Sequence, residues 1–262
     1  MSFLSRLERF DVVGSTNDVV SGWLAAGTPE VALAVADHQT AGRGREQRTW
    51  LAPPGAALLM SLGFRPPTMR PAEAWRLGAV VAVCAAEAAE SVTGLPDGTI
   101  GLKWPNDLVA ASPDGTLLKV AGVLGETSSS DGTVAAAVVG IGLNCDWPAN
   151  EFPTALSDSM TSLREISRRR VDREAILVEF LESLERRYRA LRRGDFDGDA
   201  WTQRQRTTGR LLSVTTGGGT LEGRGTGVDR LSGALLMETD GESLAVAWGE
   251  VVSCRVAEPA TV

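Results

Sequence analysis

The chain has 262 residues, of which 43% are hydrophobic, enough for one large domain or for a large domain with a small one. Its 26 basic and 33 acidic side chains give a net charge of −7, which argues against nucleic-acid binding through bulk charge. Three widely spaced cysteines exclude a disulfide framework and a zinc finger, and a single histidine, His38, argues against histidine-ligated metals and a Ser-His-Asp triad.

The sequence also bears on the compartment. The most apolar stretch, 77–89, is too short to span a bilayer and predicts a buried helix. The N-terminus, MSFLSRLERFD, lacks the apolar core of an export signal. Because the spaced cysteines also fit a reducing environment, we predict a cytoplasmic protein with no membrane partner.

Taken in chain order, the first elements indicate an α+β fold. A short helix is predicted over 18–26, strands over 31–36 and 57–64, and a long helix from Pro71 to a stop near Gly94. Strand-like runs follow at 99–104, 119–126 and 133–143. Because several strands follow one another without an intervening helix, we predict a mixed or antiparallel sheet with helices packed on one side.

The second half begins with another long helix. Apolar residues at helical spacing predict a helix that Asp172 caps and Gly194 ends. Beyond about residue 205, short strands with glycine-rich turns recur every 8–12 residues and predict a small five-stranded barrel or sandwich. We therefore divide the chain into a domain over 1–205 and a C-terminal β domain over 206–262.

The segment DHQTAGRGREQRTW at 37–50 is the most informative motif. Glycines let backbone N–H groups approach an anion, and arginines add forked, permanently charged donors. Such a segment is typical of anion binding, although a solvated basic loop is the alternative. It is not a Walker loop, and GxG alone is a weak dinucleotide signal. Its candidate residues are Gly42, Arg43, Gly44, Arg45, Arg48 and Trp50.

Four further motifs have structural explanations as well as functional ones. KWPND ends a predicted strand and offers Lys103, Asn106 and Asp107, where oxygen ligands could hold Mg²⁺ or simply form a hairpin turn. KVAGVLGE offers Lys119 and Gly122 as candidate site residues. The structural alternative is that Lys119 is an ordinary lysine on an edge strand. GIGLN ends on Asn144, and GSTND offers either a helix cap or a binding site for a polar group.

Together and in this order, GSTN, QTAGRGR…W, KWPND, KVAGVLGE and GIGLN resemble the biotin protein ligase family, the biotin–[acetyl-CoA-carboxylase] ligases. The resemblance implies an α+β catalytic domain followed by an SH3-like barrel. Because GSTN begins at Gly14, the resemblance is to the monofunctional type of the family, which has no N-terminal DNA-binding domain. We therefore expect no nucleic-acid partner.

The resemblance also implies the reaction. ATP, with Mg²⁺, activates biotin as biotinyl-5′-AMP, and a lysine of a biotin carboxyl carrier domain of an acetyl-CoA (acyl-CoA) carboxylase then takes the biotinyl group. No permanently bound cofactor is expected. A related ligase for lipoate or another short acid is the alternative, and a sensor that binds biotin without transferring it is a third hypothesis.

Carried over position by position, the resemblance assigns the site. The implied biotin contacts are Ser15, Thr16, Asn17, Gln39, Gly42, Arg43, Gly44, Arg45, Trp50, Lys119 and Gly122. The implied ATP or adenylate contacts are Arg43, Arg45, Arg48, Trp50, Lys103, Asn106, Asn144 and Arg255. Lys103, Lys119 and Arg45 are the implied catalytic residues, and Asp107 is the implied Mg²⁺ neighbour.

Overall fold

A computed structural model describes residues 3–256 and shows two separate sheets. The larger sheet has the order β1-β2-β3-β7-β6-β5-β4, and only its β1–β2 pair is parallel. The predicted mixed sheet in an α+β fold is therefore confirmed. Its strands are β1 (Arg6–Val13), β2 (Ala32–Gln39), β3 (Ala57–Phe64), β4 (Gly101–Lys103), β5 (Asp107–Ala111), β6 (Leu117–Ser130) and β7 (Thr133–Asn144).

Five helices accompany the sheets in the described part of the chain. They are α1 (Thr16–Ala25), α2 (Trp75–Thr93), α3 (Leu163–Ser167), α4 (Arg173–Arg192) and α5 (Gly198–Gln203). None of them combines the length and the apolar character that crossing a bilayer requires. The two long helices lie within two residues of the predicted ends, apart from a 3₁₀ turn at Pro71–Glu73 that precedes α2.

Local sequence explains where the long helices begin and end. The Asp172 carboxylate accepts hydrogen bonds from the backbone N–H groups of Glu174 and Ala175, which satisfies donors that a helix start leaves free. At the other end of α2, Gly94 adopts a φ of 64°, a left-handed conformation that glycine enters at no steric cost.

Helices cover both faces of the larger sheet, so the prediction of helices on one side is wrong. On β2, Leu33 and Val35 belong to the main core, which also contains the buried faces of α2 and α4. Ala34, which points to the opposite face, packs instead with Val20 and Leu24 of α1. Among the helices of residues 3–256, α1 packs on this second face, and it brings the GSTN motif to the sheet.

The smaller sheet consists of five antiparallel strands in the order β11-β10-β9-β8-β12, which confirms the predicted number. Within residues 3–256, no pairing between β11 and β12 closes this sheet, so the SH3-like barrel stays a prediction. Its strands are β8 (Leu211–Thr216), β9 (Gly219–Val228), β10 (Leu235–Thr239), β11 (Glu242–Val246) and β12 (Val251–Val256).

Candidate active site

A cavity of about 560 Å³ is lined by both sheets and by the glycine–arginine segment. Of the predicted site residues, all but Gly42 line it: Ser15, Thr16, Asn17, Gln39, Arg43, Gly44, Arg45, Arg48, Trp50, Lys103, Asn106, Asp107, Lys119, Gly122, Asn144 and Arg255. Motifs spread over some 240 residues thus meet at one place.

Gly42 lies behind the cavity wall. The segment folds back on itself there, because the Trp50 N–H donates to the Gly42 carbonyl at 2.9 Å and the Gly44 N–H donates to the Arg48 carbonyl at 2.6 Å. A Cβ on Gly42 would lie 2.7 Å from the Trp50 carbonyl oxygen. Gly42 therefore allows the two arms of this loop to approach each other.

The cavity is strongly cationic in an acidic protein. Six of the seven charged side chains that line it are lysines or arginines, and Asp107 is the seventh. The whole chain has a net charge of −7, so this clustering is local. A concave surface of this kind concentrates anions such as carboxylates and phosphates.

Both lysines of the chain lie in this cavity, and the other 24 basic residues are arginines. The Lys119 ammonium lies 2.5 Å from Asp107 and the Lys103 ammonium 3.8 Å from it. Lys103 ends β4 opposite Asp107, which begins β5. Unlike arginine, lysine is a compact point charge that can follow a moving phosphate, so this pair suits an electrostatic role.

An irregularity in the sheet aims Lys119 at Asp107. The β5–β6 register shifts between Leu108, which pairs with Ala121, and Val109, which pairs with Lys119. Such a bulge redirects a side chain from the regular alternation of a strand. The backbone of Lys119 is also held by a bridge to Met160, so its position is fixed from two sides.

The Trp50 indole packs against two glycines, Gly122 and Gly142. Gly122 and Gly142 pair across β6 and β7, and a Cβ on Gly142 would lie 2.3 Å from the ring. The Lys119 ammonium lies 5.5 Å from the ring centroid, a cation–π distance. The indole N–H is buried and has no hydrogen-bond partner in the described residues.

The three loop arginines have different environments. Arg43 pairs with Asp18 at 2.7 Å and with Glu126 at 3.2 Å, and the hydrogen bond to Asp18 is the main cause that raises its pKa. Arg45 donates to the Val251 carbonyl at 2.6 Å, and burial lowers its pKa. This hydrogen bond joins the loop to the smaller sheet. Arg48 has no ion pair within residues 3–256.

The two predicted asparagines are fixed by backbone carbonyls. The Asn106 amide N–H donates to Val123 at 2.8 Å, and that of Asn144 donates to Thr161 at 3.0 Å. Asn144 is 3% exposed, and its amide oxygen has no partner in the described residues. A buried acceptor of this kind fits a hydroxyl or amine donor on a ligand. Arg255 reaches the cavity from β12.

The donors present do not form a resident metal site. Among residues 3–256, no group of three or more His, Cys, Asp or Glu side chains could hold a metal ion. Asp107, the one carboxylate that lines the cavity in the described part of the chain, already contacts two ammonium groups. Cys254 also lines the cavity, but burial raises the pKa of its thiol to about 11, so the thiol stays protonated near neutral pH.

Several residues near the site escaped the sequence predictions. Ser61 and Glu126 contact Asn17 from behind the cavity, and Gly142 carries the indole. Ser61 has a signal, since it is the polar residue in the otherwise apolar strand ALLMSLGF. The scarcity of lysine is a second signal, because it singles out Lys103 and Lys119 from composition alone.

The fold and this cavity agree with a known family of acyl-activating ligases. Residues 9–144, just over half of the chain, match the Biotin/lipoate A/B protein ligase family. The chain belongs to this family. The matched region contains six of the seven strands of the larger sheet in full and all five motifs.

Individual relatives extend the similarity over nearly the whole chain. The bifunctional ligase/repressor BirA of Bacillus spizizenii is 33% identical over 233 residues, which are 87% of this chain and 68% of that protein. The biotin–[acetyl-CoA-carboxylase] ligase of Mycobacterium tuberculosis is 30% identical, over 94% of this chain and 90% of that protein. A biotin protein ligase from Aquifex aeolicus, solved with biotin and ATP, superposes with a TM-score of 0.78 at 27% identity, covering 98% and 100% of the two chains.

Proposed function

We propose that this chain is an ATP-dependent biotin ligase, which forms biotinyl-5′-AMP and transfers the biotinyl group to a lysine of a biotin carboxyl carrier domain of an acyl-CoA carboxylase. The cationic cavity that holds both lysines of the chain carries this proposal. Biotin's carboxylate and the phosphates of ATP repel each other, and such a cavity lowers the energy of bringing them together. The biotin ligases among its relatives support biotin over lipoate.

In the first step, a carboxylate oxygen of biotin attacks the α-phosphorus of ATP, and the bond to the leaving pyrophosphate breaks. Negative charge increases on the oxygens around the α-phosphorus. Lys103 and Lys119 are placed to balance this charge, and the Arg45 and Arg48 guanidinium groups contact the phosphates. Asn106, Asn144 and Arg255 hold the nucleotide.

In the second step, the neutral amine of the carrier lysine attacks the acyl carbon of the mixed anhydride. The bond to the AMP oxygen breaks, AMP leaves and the amine loses a proton. Until then the anhydride must be kept from water. The loop around Gly42 and Gly44, together with Arg43 and Trp50, covers the cavity for this purpose. Biotin's ring occupies the polar end formed by Ser15, Thr16, Asn17 and Gln39, near Gly122.

Mg²⁺ enters, in this proposal, as a complex with the phosphates of ATP, since it commonly binds through substrate phosphates. Asp107 would be its neighbour from the protein. Because that carboxylate is already engaged by two lysines, we derive no step through the ion.

We also propose that the chain divides at residue 205 into a catalytic domain, 1–205, and an SH3-like C-terminal domain, 206–262. The separate pairing of β8–β12 supports this division. Three free, buried cysteines support a reducing compartment such as the cytoplasm.

Transfer of biotin to a purified carrier domain, detected with avidin in the presence of ATP and Mg²⁺, tests the proposed function. We expect labelling that depends on ATP and on the acceptor lysine. Pyrophosphate exchange with lipoate in place of biotin should be far slower. A folded protein that labels no carrier domain, or that prefers lipoate, contradicts the proposal.

A further inference from the structure

A chain of hydrogen bonds runs behind the polar end of the cavity. The Asn17 amide N–H donates to the Glu126 carboxylate at 2.6 Å, and the Ser61 hydroxyl donates to the Asn17 amide oxygen at 2.6 Å. The Thr16 hydroxyl lies 2.7 Å from that of Ser61. Thr16 also donates from its backbone N–H to the Gln39 amide oxygen at 2.7 Å. Ser61 and Glu126 do not line this cavity.

The partners at the two ends fix the orientation of both amides. A carboxylate only accepts hydrogen bonds, so Asn17 must turn its nitrogen toward Glu126 and its oxygen toward Ser61. A backbone N–H only donates, so Gln39 must turn its oxygen toward Thr16. Both amide oxygens are therefore occupied, and N–H groups of Asn17 and Gln39 remain for a ligand.

Packing prevents the Asn17 amide from moving away. Asn17 is 5% exposed and Ser61 is fully buried. Ser61 pairs with Gly140 across β3 and β7, and a Cβ on Gly140 would lie 2.2 Å from the Asn17 amide oxygen. The missing side chain of Gly140 thus leaves the space that the amide fills.

We propose that Glu126 and Ser61 are positioning residues that hold the Asn17 amide with a free N–H toward the cavity, so that the site selects a ring bearing a carbonyl acceptor, as the cyclic urea of biotin does. This inference rests on the proposed function for the identity of the ligand. Ser61 and Glu126 act through Asn17, since neither side chain lines the cavity.

Glu126 has a second partner that the test must separate. Its carboxylate also lies 3.2 Å from Arg43 of the loop, so replacing Glu126 removes an ion pair as well as the acceptor for Asn17. Asp18 provides the matched control, because it pairs with the same guanidinium at 2.7 Å and has no hydrogen bond with the Asn17 side chain. The side chain of Asp18 is 61% exposed and that of Glu126 is 42% exposed, so neither substitution should prevent folding.

The experiment compares the wild type with Glu126→Ala, Ser61→Ala and Asp18→Ala. Calorimetry without ATP gives the Kd for biotin, and pyrophosphate exchange gives kcat and KM for biotin and for lipoate, whose ring has no carbonyl. For Glu126→Ala, which removes the acceptor for Asn17, we expect Kd and KM for biotin to rise about tenfold, with kcat within about twofold and lipoate kcat/KM unchanged. Ser61→Ala should raise both constants as well, and Asp18→Ala should leave the biotin Kd within about twofold.

Equal losses for Glu126→Ala and Asp18→Ala would show that only the ion pair to Arg43 matters, and equal losses for biotin and lipoate would show a general structural effect. Either result overturns the inference, as does an unchanged Kd. A wild-type protein that binds biotin but forms no adenylate would refute the proposed function, while the Kd comparison would still decide the inference. A wild type that does not bind biotin would refute the inference too.

Discussion

At the scale of single residues, the lysine pair is the feature with the most direct chemical consequence. Lys103 and Lys119 approach one carboxylate, Asp107, in a cavity that otherwise collects arginines. The ammonium groups are thereby held close together before any substrate arrives. Preorganised charge of this kind stabilises a transition state without reorganisation during the reaction.

We predict that Lys103→Ala and Lys119→Ala each lower the rate of adenylate formation by about 10²- to 10³-fold. Each variant lacks one of the two positive charges that balance the negative charge developing around the α-phosphorus. Pyrophosphate exchange with biotin measures this rate. Arg189→Ala, which removes an exposed cation on α4, should leave the rate within about twofold. Rates near wild type for both lysine variants would rule out their electrostatic role.

The packing of Trp50 against Gly142 gives a second prediction. Gly142→Ala places a Cβ within 2.3 Å of the indole and must displace the ring, so we expect biotin adenylation to fall at least about tenfold. Gly125→Ala on β6 is the control, since its Cβ would meet no atom within 4 Å. Equal activities of the two variants would show that the position of Trp50 does not matter.

At the scale of elements, the short helix α5 supports the edge of the larger sheet. After α5 the chain bonds to β4: the Leu102 N–H donates to the Arg204 carbonyl and the Arg206 N–H donates to the Leu102 carbonyl, both at 2.7 Å. Arg204 itself pairs with the buried Glu90 at 2.9 Å. This connection fixes β4, which ends on Lys103.

The cap of α5 predicts a pH dependence. A backbone hydrogen bond from Ala200 is the main cause that lowers the pKa of the Asp197 carboxyl below its ordinary 3.8. The stability that the ionised Asp197 carboxylate contributes is fully present above about pH 3.8. It is lost as the pH falls through the lowered pKa of Asp197 in the folded protein. Asp197→Ala should lower the free energy of unfolding by about 1 kcal/mol at pH 7, a value typical of a lost helix cap.

Urea denaturation of the Asp197→Ala variant at pH 7 and at decreasing pH measures this effect. The difference from wild type should shrink below pH 3.8, and Asp195→Ala, an exposed neighbour, should show little difference at either pH. A difference that stays constant or grows on acidification would contradict the assignment.

The sequence predicted elements well where local chemistry sets them. Capping residues placed the ends of α4, and the left-handed Gly94 ended α2. β1 was missed because it is an edge strand in which every side chain is at least partly exposed, although four of its eight residues are apolar. The two-sided packing was also missed, since periodicity shows that α1 buries a face but not against which side of the sheet.

The candidate site shows the same difference between features that the sequence motifs indicate and features that depend on packing in space. Ordered motifs located its lining, because family resemblance carries information over long sequence separations. Ser61 and Glu126 could not be found this way, since their role depends on β3, β6 and the start of α1 meeting in space. Local patterns contain no signal for a contact between positions 61 and 17.

At the scale of the whole molecule, both sheets build one cavity. Arg45 of the loop donates to the Val251 carbonyl, and Arg255 lines the cavity from β12. The smaller sheet therefore contributes side chains to the wall of the cavity.

We predict that Arg255→Ala raises the KM for ATP about tenfold, because one charged contact to the nucleotide is lost, and leaves the Kd for biotin unchanged. Steady-state kinetics and calorimetry separate the two effects. Arg224→Ala removes an exposed arginine from β9 of the same sheet and should change neither value. A weakened Kd for biotin in the Arg255 variant would place this residue elsewhere in the site.

A crystal structure of the protein after incubation with biotin, ATP and Mg²⁺ tests the central claim most directly. We predict biotinyl-5′-AMP in the cavity, with its phosphate within hydrogen-bond distance of Lys103 and Lys119 and Trp50 against the ligand. An intermediate bound elsewhere, or lysine side chains directed into bulk solvent, would contradict the claim.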